Sequence, residues 1–280
     1  MREIDVSLIT EIVAQLCIDA NIYLNEDIKK ALIENAEKEQ NKIAKNILNV
    51  LIENADIASK ELKPICQDTG MAIIYVDIGT DVHFTGGNLT DAINKGVALG
   101  YTKGYLRKSV LNDPIERKNT NDNTPAIIHY NIVDGDKVKI TAAPKGFGSE
   151  NMSRIKMLPP SAGIEGVKEF IYETIQLAAS NACPPMIIGI GLGGSIEKCA
   201  DIAKRALLRE IGAKNDDIRL QKLEEELLEN INKMNIGPSG FGGNTTALAV
   251  HINMFATHIT ALPVCVCTGC HVTRHKEIVL

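Results

Sequence analysis

The chain has 280 residues, 45% of them hydrophobic and 23% charged, with a formal net charge of −5 at pH 7. That length allows one or two domains with ample material for a core, and an acidic balance without basic clusters interleaved with aromatics excludes an electrostatic nucleic-acid interface. The Arg2-Glu3-Ile4-Asp5 start is unlike a signal peptide and no apolar run reaches the ~20 residues of a membrane span, so a cytoplasmic protein is expected.

Residues 5–58 read as two or three helices. Apolar positions recur at three- and four-residue spacing from Val6 to Cys17, then through Ile28, Leu32, Ile33 and Ala36, and again through Ile43, Ile47, Leu48 and Leu51. The pattern changes at Lys63-Pro-Ile-Cys-Gln-Asp-Thr-Gly70, a turn-rich segment leading into a strand over 72–78. Residues 89–107 read as a helix and 112–124 as a polar loop. Two β-rich runs, 126–133 and 137–143, flank Asp134-Gly135-Asp136 and predict a hairpin. A Gly/Pro-rich loop covers 144–160. Helices follow over 163–181, 195–211 and 217–234, with a short strand over 186–190 between the first two. A glycine loop at 238–244 precedes strands over 246–255 and 262–266. Helices and strands mix without regular alternation, which predicts an α+β fold. The expected organisation is a single 1–280 domain, a helical segment 1–60 packed on an α+β core 61–280.

Gly189-Ile-Gly191-Leu-Gly193-Gly194 contains G-x-G-x-x-G, but a dinucleotide fingerprint needs a following strand with an acidic residue, and Glu210 sits in a helical stretch. The glycine turn would still present N–H groups near Ser195 to an anion such as a carboxylate. No phosphate-loop motif occurs.

Seven cysteines without a signal peptide point to metal ligands or buried thiols over a disulfide scaffold. Cys17 and Cys199 fall on amphipathic helical faces and read as packing. Cys265-Val-Cys267-Thr-Gly-Cys270 contains C-x-x-C, and His271 and His275 are near enough to keep a zinc reading open. Cys66, Cys183 and Cys270 differ, because each lies at a turn beside proline or glycine, in Pro-Ile-Cys-Gln-Asp, Asn-Ala-Cys-Pro-Pro and Thr-Gly-Cys-His. By position alone, three loop cysteines leave a shared metal site and plain packing both open.

Those three segments, spaced by 117 and 87 residues, resemble the class I, iron–sulfur-dependent fumarate hydratases. The closer likeness is to the alpha subunits of two-subunit fumarate hydratase and L-tartrate dehydratase. It extends over Pro64–Gly70, Tyr105–Ser109, Glu116–Pro125, Pro144–Asn151, Ala182–Pro185 and Cys270–Glu277, and departs from the family's glycine run only at Phe147. The resemblance implies a [4Fe–4S] cluster held by Cys66, Cys183 and Cys270. Three thiolates where a cluster usually has four leave one iron open, which allows Lewis-acid chemistry on substrate.

The resemblance also implies that Gln67 and Asp68 contact substrate and that Asp68 serves in acid–base chemistry. Without it, Asp68 would read as an Asx-turn or helix cap. Arg107 matches a substrate-binding arginine, Gly148 a backbone contact, and His258, twelve residues before Cys270, a substrate-site histidine. Left to themselves, Arg107 reads as a solvated helix-end charge and His258 as a surface or strand histidine. In single-chain relatives a second domain supplies further arginines, a lysine and a threonine. A separate beta subunit is therefore expected, in a higher oligomer of alpha and beta chains, acting on a small dicarboxylate. The implied activity is hydration of fumarate to malate, with L-tartrate dehydration as the alternative. An electron-transfer cluster protein, which would want a fourth thiolate, and a zinc-stabilised interaction module are the rivals from other classes.

Overall fold

A computed structural model describes residues 1–280. In chain order the first half forms β1 (Arg2–Asp5), α1 (Val6–Ile22), α2 (Glu26–Lys38), α3 (Lys42–Glu61), β2 (Ile73–Gly79), β3 (Val82–Thr85), α4 (Leu89–Lys103), β4 (Ile127–Val133) and β5 (Val138–Ala142). The second half forms α5 (Phe147–Glu150), β6 (Arg154–Leu158), α6 (Gly163–Ala178), β7 (Met186–Gly193), α7 (Ile196–Ala206), α8 (Ile218–Lys233), β8 (Ala247–Phe255), β9 (Leu262–Gly269) and β10 (Lys276–Val279). The fold is α+β. Its contacts group into two compact units, one of Met1–Leu24, Ala55–Phe147 and Arg274–Leu280, the other of Asn25–Asn54 and Gly148–Thr273.

The first unit is built on a four-stranded sheet in the order β10-β5-β2-β4. Alternate strand residues share a face, so Ile74 and Val76 of β2 join Val138, Ile140 and Ala142 of β5 on one side. Ile9, Val13 and Cys17 of α1 and Ile93, Val97 and Tyr101 of α4 recur every fourth residue and close this core. The helical stretch Val6–Lys38 is, against the reading of apolar runs, long and apolar enough to cross a membrane by length and composition alone. Its residues Ile9, Val13 and Cys17 are fully buried in this core, the use a core helix makes of such a composition.

The expected hairpin at Asp134-Gly135-Asp136 does not form. β2 inserts between β4 and β5, parallel to the first and antiparallel to the second. β2 is buried along most of its length, and both flanking runs are satisfied by pairing with it. The turn at Gly135 instead receives the Asp81 amide on its carbonyl at 2.9 Å.

The second unit carries a sheet in the order β6-β9-β7-β8, with β7 parallel to β8 and antiparallel to β9. Ile188 and Ile190 of β7, Val250 and Ile252 of β8, and Val264 and Val266 of β9 form a core with Phe170, Ile171 and Ile175 of α6 and Leu223, Leu227 and Ile231 of α8. The other face of β7 presents glycines to α7. A Cβ on Gly189 would stand 2.2 Å from the Ala203 carbonyl oxygen, and one on Gly191 2.1 Å from that of Cys199. The glycine motif thus serves close helix–strand packing. The segment read as a loop over 144–160 contains α5 and β6, because β6 pairs antiparallel with β9 despite having only one residue, Leu158, well buried.

Candidate active site

In the first unit the Cys66 segment is anchored at both sides. The Ile65 amide donates to the Asn21 carbonyl at the end of α1 at 2.8 Å. Beyond it, Gly70 has φ +77°, and a Cβ there would lie 2.7 Å from the Lys145 backbone, which Met71 pairs with across a two-way bridge. Only glycine fits such an approach at a left-handed angle. Between these anchors Cys66 and Asp68 are half-buried and Gln67 is exposed.

Asp68 is fixed by three contacts. Its Oδ1 accepts from the Gly70 amide at 2.9 Å, an Asx-turn, and its Oδ2 from the Phe147 amide at 2.8 Å. Its carbonyl accepts from Arg274 Nη2 at 2.6 Å. The Asx-turn reading is thus realised, and it orients the carboxylate that the resemblance singles out.

Buried side chains hold the neighbouring loop. Thr69 Oγ1 donates to the Arg107 carbonyl at 3.1 Å, which sets the Arg107 backbone beside the Cys66 turn while its side chain stays exposed. Tyr101, wholly buried, donates its hydroxyl to the Thr69 carbonyl at 2.8 Å. Asn123, equally buried, accepts from the Ser109 amide at 2.6 Å and donates to the Gly70 carbonyl at 3.2 Å. Desolvation holds the Tyr101 phenol far above its ordinary pKa, so it remains a donor. Tyr101, Asn123 and Arg274 were missed as supports. Asn123 and Arg274 lie within the quoted motifs, yet spacing does not reveal which polar residue of a motif turns inward.

In the second unit, the antiparallel pairing of β7 with β9 sets Ile187 opposite Gly269. The residues just before β7 and just after β9 therefore share one end of the sheet, and these are Cys183 and Cys270. Cys183 is exposed and left-handed at φ 53°, ψ 62°, followed by the cis Pro184–Pro185 bond. Its carbonyl accepts from the His271 amide at 3.3 Å and lies 3.1 Å from His271 Nδ1. Since a carbonyl only accepts, Nδ1 carries the proton. Thr273 closes the Cys270 turn by donating its hydroxyl to the Cys270 carbonyl at 2.8 Å. Gly148 belongs to the same end. A Cβ there would come 3.9 Å from the Asn181 carbonyl oxygen, and the next residue, Ser149, accepts at its carbonyl from Thr268 Oγ1 at 2.6 Å.

His258 is not brought to this end. It sits exposed in the turn between β8 and β9, with Nδ1 2.9 Å from Thr260 Oγ1. The eight residues of β9 lie between it and Cys270, roughly 26 Å of extended chain. The strand read over 262–266 extends to Gly269. The Gly193–Ser195 turn lies at that opposite end too, since it follows β7.

Exposure divides the seven free cysteines. Cys66, Cys183 and Cys270 reach solvent, whereas Cys17, Cys199, Cys265 and Cys267 are buried. Burial pushes the Cys17 thiol up to about 12 and Cys199 to about 11, and with its neighbours Cys267 and Cys199 it raises Cys265 as well. Cys17, Cys199 and Cys265 are held protonated and inert. The C-x-x-C pair parts accordingly, with Cys267 sealed beside Ser153 Oγ at 3.7 Å and Cys270 in the open turn. In neither unit do three or more His, Cys, Asp or Glu side chains gather into a metal-binding group on their own. The open thiols, on loops anchored by backbone hydrogen bonds, have the donor chemistry and access that an iron–sulfur cluster requires.

Residues 10–279 match the family model described as fumarate hydratase (Fumerase). The chain belongs to the fumarate hydratase family. Among relatives, an L(+)-tartrate dehydratase subunit alpha from Escherichia coli strain UTI89 is 32% identical over 276 residues, covering 98% of this chain and 91% of the relative. The K12 strain's subunit of the same name is 31% identical over 278 residues, with the same coverage. A Methanocaldococcus jannaschii protein bearing a provisional form of that name is 41% identical over 272 residues, 95% of each chain. Membership in this family makes the chain part of a hydro-lyase.

Proposed function

We propose that this chain is the alpha subunit of a hydro-lyase that dehydrates L(+)-tartrate, working with a separate beta subunit. The observation that carries the reading is the end-to-end likeness to proteins named as tartrate dehydratase alpha subunits, 41% identical in one case. Hydration of fumarate to malate is the second reading, favoured by the description of the family model.

In this reading Cys66, Cys183 and Cys270 hold a [4Fe–4S] cluster. When bound there, with three thiolates in place of the usual four, the cluster would supply Lewis acidity toward a substrate oxygen. The protein's own groups do the rest. Dehydration needs a proton removed from the carbon beside a carboxylate, and the Asp68 carboxylate is the base at that position. Each Asp68 oxygen engages one amide, which fixes its direction and leaves lone pairs free to take a proton. The Arg107 guanidinium pairs with a substrate carboxylate, the fork geometry favouring two parallel hydrogen bonds. Gln67 and the Gly148 amide donate to the remaining oxygens. The family resemblance also assigns His258 to the substrate, although it lies at the far end of β9 from Cys270. The beta subunit supplies further groups, in a cytoplasmic assembly of alpha and beta chains.

The test is an anaerobic assay of the chain, reconstituted with iron and sulfide, alone and with its beta subunit, against L-tartrate, D-tartrate, malate and fumarate. Fastest turnover of L-tartrate by the pair, with little by the isolated chain, is expected. Preference for malate and fumarate would install the second reading, and full activity of the isolated chain would remove the need for a partner.

A further inference from the structure

Both cysteines at the site end of the second unit have their backbone carbonyls engaged twice by a single residue. The Cys270 carbonyl accepts from the Thr273 amide at 2.9 Å and from the Thr273 hydroxyl at 2.8 Å. The Cys183 carbonyl accepts from the His271 amide at 3.3 Å and from His271 Nδ1 at 3.1 Å. A carbonyl oxygen has two lone pairs, so one donor residue occupies each carbonyl. The two arrangements differ in span. Thr273 lies three residues from Cys270 and closes its own turn, whereas His271 reaches across 88 residues and joins the two cysteine turns.

Cys183 needs such an anchor. It is a non-glycine residue at φ 53°, ψ 62°, a conformation that residues with a side chain keep only where the surroundings impose it. Its amide donates to the Ser180 carbonyl at 3.2 Å, and beyond it the Pro184 carbonyl accepts from the Ser239 amide at 2.9 Å. With the amide held by Ser180 and the carbonyl by His271, the peptide planes on both sides of Cys183 are set, and so is the direction of its Cα–Cβ bond. His271 directly follows Cys270, so the bond that fixes Cys183 also fixes the peptide leaving Cys270. Standard bond lengths then keep the two cysteine Cα atoms within about 8 Å. Gly269 completes the fit, since a Cβ there would stand 2.3 Å from Thr273 Oγ1.

We propose that His271 is a positioning residue, a clasp that holds Cys183 and Cys270 at the spacing of two ligands to one metal centre. For a bound cluster this rests on the ligand set proposed above. For the cluster-free chain it does not, because both hydrogen bonds are made by the chain's own groups. The ring acts through Nδ1, so the clasp needs a donor at that position and no other property of an imidazole. Asparagine carries its amide nitrogen where Nδ1 sits, and glutamine carries it where Nε2 sits. Leucine fills similar space and donates nothing. Histidine and asparagine therefore hold the pair, while glutamine and leucine release it.

The test treats the full, cluster-free chain with phenylarsine oxide, an arsenic(III) reagent that loses its oxygen as water when it bonds two neighbouring thiols. Peptide mass spectrometry of the wild-type chain should find Cys183 and Cys270 joined through one arsenic. His271→Asn should retain this product, while His271→Gln and His271→Leu should weaken capture about tenfold, the usual effect of removing a residue that orients a metal ligand. Circular dichroism and melting check the fold, and where His271→Leu does not fold, His271→Asn against His271→Gln decides. In the chain reconstituted with iron and sulfide, the visible absorbance of the cluster should decay about tenfold faster under a chelator in His271→Gln and His271→Leu than in the wild type and His271→Asn. A wild-type chain in which arsenic does not join these two cysteines would overturn the proposal. So would equal capture by the folded wild type and His271→Gln, or a His271→Asn chain as weak as His271→Gln. The expected ranking of arsenic capture in a chain that assembles no cluster would uphold the clasp and remove the cluster reading. None of these readings depends on catalytic activity.

Discussion

Asp68 Oδ2 accepts the amide hydrogen of Phe147 at 2.8 Å, across 79 residues of sequence. The same carboxylate closes its own turn through Gly70, so a single side chain fixes both the Cys66 segment and the start of α5. Asp68→Asn keeps the size but leaves one acceptor oxygen for two amides and offers no proton acceptor. The melting temperature should fall modestly, by the equivalent of about 1 kcal/mol, while kcat of the reconstituted enzyme falls at least about a hundredfold. Comparable losses in both would mean that Asp68 acts only as a turn residue.

The division of cysteines by exposure predicts a labelling pattern. In the cluster-free chain at neutral pH, a soluble alkylating reagent should modify Cys66, Cys183 and Cys270 and spare Cys17, Cys199, Cys265 and Cys267 until denaturant is added. Peptide mass spectrometry reads this directly. Assembly of the cluster before labelling should protect the three open thiols. Unchanged labelling of any one of them in the iron-loaded protein would remove it from the ligand set.

His251 gives the second unit a pH dependence of its own. It is 3% exposed in β8, with Nδ1 3.1 Å from the Ala206 carbonyl. Burial, together with the nearby Arg209 guanidinium, depresses its pKa to about 4, against smaller opposing effects of the Ala206 carbonyl, Glu224 and Asp27. The unfolded chain, with a histidine near 6.5, binds the proton first on acidification. This contribution is fully present above about pH 6.5 and lost as pH falls toward 4, amounting to about 3 kcal/mol in all. Denaturant titrations at pH 7, 6 and 5 should show the decline, and His251→Gln should flatten it. A slope unchanged in that variant would assign the decline to other groups.

The contact between β7 and α7 predicts an intolerant position. Gly191→Ala would push a methyl to 2.1 Å from the Cys199 carbonyl oxygen, so the helix must move off the sheet. The expected cost is several kcal/mol, within the range for overpacking or beyond it, visible as insoluble expression or a melting point lowered by ten degrees or more. An unaffected melt would show that α7 shifts freely.

Much of the fold was legible. β2, α4, α6, α7 and α8 fall within a few residues of their sequence-derived positions, because each repeats apolar residues at the spacing of its own element. The short strands β1, β3, β6 and β10 escaped notice, since each buries at most one residue and owes its existence to a partner strand. The hairpin at Gly135 failed for a related reason. A turn sequence reports that the chain reverses, but β2 can enter between the two arms without altering either one's pattern.

The sequence by itself carried the family resemblance, in the segments around Cys66, Cys183 and Cys270, while the positions of those cysteines alone left a metal site and plain packing both open. It also separated Cys17 and Cys199 from them by helical periodicity. Only the tertiary structure decided that Cys183 and Cys270 share one end of the β7–β9 pair while His258 lies at the other. It alone showed that Cys265 and Cys267 are sealed and that Tyr101, Asn123 and Arg274 hold the Cys66 turn. The physical reason is that periodicity is set by neighbours three or four residues away, whereas strand pairing, burial and hydrogen bonding join groups far apart in the chain.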